Sequence, residues 1–285
     1  MKKNLYIDRY QINYHQKKNF KVILDEHLIK NYNTNLRKKK SDKNSINYFW
    51  NKRQTKQKDV LKIDVIKKEI FNYLVKKLEH IHGERNGQQY WEIILMPWLD
   101  SIIPKIFYLW KITYNINQNY IAHLYDYNSN EFITNSFEDI KYYENLDFNR
   151  WILSKIIIHQ NKIEFKKKKI KVKYNFRNNL QKDKLFTYIL KCFYNFLSNF
   201  FNSRIMIDNI QVGKWNLILL NLKLKQFPFL WIREKFQEEQ TDKKKRIFLS
   251  SKKNKKKDLI NFIKNNLVFF LPKNYLENYK NIKES

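Results

Sequence analysis

Residues 78–99, LEHIHGERNGQQYWEIILMPWL, hold the side chains best suited to chemistry, and two of the chain's three glycines fall among them. His80 and His82 form an H-x-H pair. On a helix two rings so spaced point about 200° apart, a poor arrangement for chelation, and no metal site is expected. His82 stands just before Gly83, where an imidazole at a helix C-terminus is favoured as the cation and can be aimed into a cleft, or can simply cap the helix. Glu79, Glu84, Glu92 and Asp100 are carboxylates of the same neighbourhood that could take a proton, or pair with the abundant lysines. Tyr90, Trp91 and Trp98 offer flat faces for a sugar or a base, and the same spacing on a helix also describes core packing.

Two helices must position these groups. Val60, Ile63, Ile66, Ile70, Leu74, Leu78 and Ile81 recur at steps of three and four, predicting an amphipathic helix over 59–82 that Gly83 ends. A second helix is expected from Tyr90, kinked at Pro97 and continuing through Trp110. Strands are expected at the start of 21–29 and over 120–127, a helix over 149–158, and an exposed basic ribbon or loop at IEFKKKKIKVKY. An apolar helix over 182–202, a β-rich run at 203–208 and a helix over 214–224 complete the pattern. Alternating helices and short apolar strands predict one α/β domain with a mostly parallel sheet. Lysine-rich loops are expected near 30–47, 164–173 and 240–258. The apolar stretches 93–110 and 185–201 are interrupted or short for a bilayer span, so both are read as core helices.

The chain of 285 residues carries a formal charge of +30. Such a charge fits a basic protein that binds nucleic acid or an anionic membrane surface without catalysis. It also fits an AT-rich genome, since Lys, Asn, Ile, Phe and Tyr abound while Ala122 is the single alanine; nucleic acid is therefore not the partner expected. Cys192 alone forms no internal disulfide or Cys-rich zinc site. The first twenty residues contain no signal-peptide core, giving a cytoplasmic expectation. Three glycines exclude a Gly-rich dinucleotide loop or a P-loop, and no G-x-S-x-G elbow occurs.

The segments IHG and QYWEIILMPWL, followed by an apolar helix, resemble a family of transferases encoded in bacterial surface-polysaccharide gene clusters. YFWNKRQ (48–54), KVILDEHLI (21–29), FNRWILSKIII (148–158), KLKQFPFLW and FFLPKNYLENYK (269–280) resemble further elements of that family. The resemblance implies a Rossmann-like N-terminal lobe of a two-lobed, GT-B-like glycosyltransferase, acting in surface-carbohydrate biosynthesis on a sugar or lipid-linked acceptor. A nucleotide-sugar donor would be a substrate held mainly by an absent C-terminal half, encoded separately or lost, with no cofactor and with peripheral contact at the inner membrane face. It also implies a cleft lined by Glu26, Trp50, Arg53, His82, Tyr90, Trp91 and Trp98. There His82 or Glu26 deprotonates the acceptor hydroxyl, Arg53 pairs with an anionic group, and the aromatic residues stack on a sugar. Gln89 and Glu92 replace arginines of the family pattern, and Met96 replaces a glycine, so two bidentate anion grips are missing.

Overall fold

A computed structural model describes residues 2–8, 20–23, 53–114, 116, 118–136, 146–170, 219, 223, 240–250 and 257–283. The chain divides into two compact units, Met1–Val172 with Glu238–Ser285, and Lys173–Gln237. Residues 219 and 223 apart, the described residues belong to the first. The expected 182–202 helix and the 203–208 run lie outside the described residues, as does 214–224 except at those two positions.

In chain order the first unit contains β1 (Lys3–Tyr6), β2 (Phe20–Val22), α1 (Arg53–His82), α2 (Gln88–Tyr114), β3 (Tyr120–Asp126) and α3 (Leu146–Gln160). There follow β4 (Glu164–Lys169), α4 (Lys243–Leu249), α5 (Leu259–Phe270) and α6 (Tyr279–Lys283). The four strands pair in parallel in the order β2-β1-β3-β4, so the expected α/β class with a parallel sheet is present. Parallel neighbours need crossovers, and α1 with α2 makes the one from β2 to β3. β4 is the basic ribbon read from the sequence, and its hydrogen bonds to β3 make it a regular edge strand. Lysines suit an edge, because their charge discourages a further strand from adding there.

α1 follows its apolar period. Ile63, Ile66, Ile70, Leu74 and Leu78 are buried, whereas Val60 is exposed and the helix begins six residues before the expected start. α2 carries twelve buried residues and runs through both Pro97 and Pro104. Each proline lacks an amide, and Ser101 Oγ donates to the Pro97 carbonyl at 3.1 Å. By length and composition α2 could cross a bilayer, yet it packs on α1 and α3 as a core helix. α3 is pinned to the sheet where the Tyr125 amide donates to Ser154 Oγ at 3.1 Å. Trp151 of α3 lies in an aromatic core, stacked on Phe132 at 4.6 Å and edge-on to Phe270 at 5.5 Å.

The lysine-rich stretch expected as a loop near 240–258 is in part α4, capped by Asp242, whose side chain accepts the amides of Lys244 and Lys245. Arg246 of KKKR is buried rather than solvated. Its Nε and Nη2 donate to Glu277 at 2.6 and 2.7 Å, and its Nη1 donates to the Val268 and Leu271 carbonyls. A partner 31 residues away supplies the burial, so the local charge run misleads.

α1 stops as the sequence predicts. Gly83 has φ +71°, and the amides of Gly83 and Glu84 both donate to the Glu79 carbonyl, at 2.9 and 3.2 Å. A Cβ at Gly83 would touch nothing within 4 Å, so the cost of a side chain there is backbone strain alone. Gly83→Ala should therefore destabilise the fold by about 1 kcal/mol and Gly83→Asn by less, read from urea midpoints at unchanged m-value.

Candidate functional site

The turn from α1 into α2 brings His82 opposite Trp91. Gly87, at φ +83°, opens α2 by accepting the Trp91 amide, and its own amide donates to Glu79 Oε1 at 3.3 Å. Onto this turn folds the segment that follows Pro272, a 3-10 turn at Lys273–Tyr275 and then α6. Tyr279 stacks on His82 with ring centroids 4.0 Å apart and on Trp91 at 5.4 Å. His82 Nε2 lies 3.1 Å from the Tyr275 carbonyl, which can only accept, so this nitrogen carries the proton and Nδ1 the lone pair. Burial pushes the His82 pKa below its ordinary value, and Lys245 and Lys280 act the same way, against the opposing pull of the Tyr275 hydrogen bond and of Glu84. The neutral ring is thus favoured, not the cation expected at a helix C-terminus, because burial outweighs the attraction of the helix end.

A polar rim surrounds the stack. Asn86 Nδ2 donates to the Tyr279 hydroxyl at 2.8 Å, Tyr90 and Tyr279 hydroxyls are 3.0 Å apart, and Lys283 Nζ reaches Glu84 Oε2 at 2.7 Å. Trp91 Nε1 is buried and, among the described residues, has no hydrogen-bond partner. An unmet donor of this kind costs roughly 1–3 kcal/mol, so it marks a place where the packing is not fully satisfied.

A second cluster stands at the carboxyl edge of the sheet. β1 turns out toward β2 on one side and β3 toward β4 on the other, so among the described strands the switch in direction falls between β1 and β3, where open α/β sheets bind ligands. Asp8, two residues beyond β1 and fully buried, pairs with Arg150 Nε and accepts the Tyr125 hydroxyl at 3.2 Å. Arg150 Nη1 also donates to Asp147 at 3.0 Å, and Asp147 accepts the Tyr127 hydroxyl at 2.9 Å. Burial and these carboxylates raise both tyrosine pKa values well above the ordinary range. The two clusters are joined through the backbone: the amides of Lys273 and Asn274 donate to the carbonyls of Thr134 and Asn135, in the segment after β3. A groove of about 590 Å³ lies at the other, amino-terminal end of β3 and β4, beside Lys2, Gln118 and Lys166.

The expected cleft is thus assembled only in part. His82, Tyr90 and Trp91 come together, with Tyr90 half-buried at the rim. Trp91 and Trp98 are 0% exposed, their rings covered by Tyr279 and Tyr275, so here they are core rather than open sugar platforms. Arg53 is exposed at the opposite end of α1, roughly 44 Å from His82 by helical rise. Glu26 and Trp50 lie outside the described residues. Sequence reasoning passed over Asp8, Arg150 and Tyr279. The segments FNRWILSKIII and FFLPKNYLENYK carry two of them, but only the fold shows which of their side chains meet.

Two outcomes follow from these environments. His82 has a folded pKa below its unfolded value near 6.5, so its contribution to stability is complete above that pH and is lost as pH falls through the folded value. His82→Gln keeps a donor for Tyr275; its stability deficit against the wild type should shrink between about pH 8 and about pH 5.5 in paired urea titrations. Asp8→Asn, which strips a buried guanidinium of its charge partner, should cost about 3 kcal/mol in the same measurement.

Across residues 8–285 the chain matches the profile described as LIC12162 family transferase. No curated protein and no solved structure matches it. The match spans the buried Asp8 that follows β1, the His82 turn and the α6 segment that covers it, and with nearly the whole sequence inside it the chain belongs to the LIC12162 family of transferases.

Proposed function

We propose that this transferase is the acceptor-side lobe of a glycosyltransferase-like enzyme of surface-carbohydrate assembly, with His82 as the general base. The observation that carries the proposal is the state of His82: a neutral ring, fixed by its Nε2–H on the Tyr275 carbonyl, with the lone pair on Nδ1. Membership of a transferase family favours this over a purely non-enzymatic basic protein. Nδ1 takes the proton of an acceptor hydroxyl. The acceptor oxygen attacks the anomeric carbon of a nucleotide-linked donor, the bond from that carbon to phosphate breaks, and the nucleotide leaves with the electron pair. Tyr90 at the rim and the unmet Trp91 Nε1 are the groups that would greet a sugar, once Tyr279 gives way. Glu26 is the second candidate base. The donor is a nucleotide-linked sugar, the acceptor is a free or lipid-linked sugar, and no cofactor takes part.

The test is nucleotide release from a panel of nucleotide sugars by the full-length protein, with and without sugar acceptors. His82→Ala and His82→Gln should both lower kcat by about a hundredfold or more, while His82→Gln keeps the wild-type unfolding midpoint to within about 1 kcal/mol. Undiminished release in the two variants would remove His82 from the chemistry. Failure of the folded protein to consume any sugar nucleotide would remove the glycosyl class itself.

A further inference from the structure

Among the described residues, eight large apolar side chains are exposed, and five of them, Val60, Leu61, Val65, Ile247 and Phe248, lie on α1 and α4. The two helices touch: the Tyr73 hydroxyl donates to the Leu249 carbonyl at 2.8 Å, and Phe248 stacks on His80 at 5.0 Å. On α1 the residues Lys58, Leu61, Val65, Lys68, Asn72 and Lys76 recur at steps of three and four and are all exposed, so they form one ridge opposite the buried stripe. Leu61 and Val65 are 68% and 67% exposed at its centre, with lysine before and after them. The acidic residues nearby are occupied, Asp64 by Lys67 at 3.0 Å and Glu69 by Lys264 at 2.7 Å, and the ridge is left basic and apolar. On α4, Ile247 is 69% exposed behind the exposed Lys243 and Lys244, and Lys77 Nζ sits 4.1 Å from the Phe248 ring centroid.

We infer that the exposed apolar residues of α1 and α4, Leu61 and Val65 on the first and Ile247 and Phe248 on the second, dock on an anionic lipid surface. Branched aliphatic side chains gain free energy only where they leave water, which the acyl boundary of a bilayer permits, while lysines flanking them reach the phosphate layer on their long stems. Each lysine near an anionic leaflet adds attraction that salt weakens. A nucleic-acid face would instead pair its cations with stacking aromatic rings or arginine. α1 is also a helix of 30 residues held by its core, so the ridge exists before it meets a partner, and no folding cost opposes docking. The inference is independent of which group the enzyme transfers, though it would bring the chain to a lipid-linked acceptor.

The experiment is sedimentation of the full chain with vesicles of about one part phosphatidylglycerol to two parts phosphatidylcholine, against vesicles of phosphatidylcholine alone. The wild type should bind the first and not the second, with partitioning that falls as salt is raised. Leu61→Glu with Val65→Glu, and separately Ile247→Glu, should each lower partitioning about tenfold or more at an unchanged thermal midpoint, as the sites are exposed. Val65→Phe should raise it. Binding unchanged in the glutamate variants, or equal on the neutral vesicles, would overturn the inference. So would a parallel loss of single-stranded RNA retention in those variants without loss of vesicle binding, which would make the face a nucleic-acid surface.

Discussion

The reversal between α1 and α2 is the constraint on which the rest of the described unit depends. Two long helices can lie antiparallel only if the chain between them turns within a few residues, and this turn uses left-handed backbone at both Gly83 and Gly87. Once they lie so, Asp59 meets Lys111 and Lys67 meets Asp100, ion pairs that hold the two helices in one register. The same register faces His82 toward Trp91. Of the three glycines in the sequence, two stand in this turn.

Charge is handled in two ways. Among the described residues most of the lysines lie on exposed surfaces such as β4 and the outer ridge of α1, where water solvates them and individual pairs add little. Arg150 and Arg246 differ, because each is drawn into the interior by carboxylates and carbonyls that satisfy the fork of the guanidinium. Arg246 fastens the segment after α5 to α4, and that segment carries Tyr275 and Tyr279 to His82. Arg150 fastens the start of α3 to the end of β1. Among the described residues the interior thus closes around the few cations that find acidic partners, while most of the lysines stay in water.

The elements that repeat a local pattern were legible before any coordinates: the buried stripe of α1, the stop at Gly83, the strand at 120–126 and the helix around Trp151. β1 was not, since four residues of ordinary composition carry too little period to separate a strand from a loop. α4 was read as a solvated loop because three of its first four residues are lysine, a signal that says nothing of Glu277. At the site, His82 and its place at a helix end were legible, as was the gathering of Tyr90 and Trp91 beside it. The role of the tryptophans was not: a ring that could serve a sugar and a ring that fills a core have the same sequence spacing, and only the arrival of Tyr275 and Tyr279 decides between them.

The sequence by itself determined helix periods, the stop at Gly83, the parallel α/β class and the family to which the segments point. These depend on residues a few positions apart, whose backbone and side-chain preferences act within one turn or one strand. Only the tertiary structure decided that Asp8 meets Arg150 across 142 residues, that the Tyr275 carbonyl reaches the imidazole 193 residues before it, and that Arg53 stands at the far end of α1 from His82. Such pairings are chosen by the burial of the whole core, in which a contact is favourable only when every element around it is already in place.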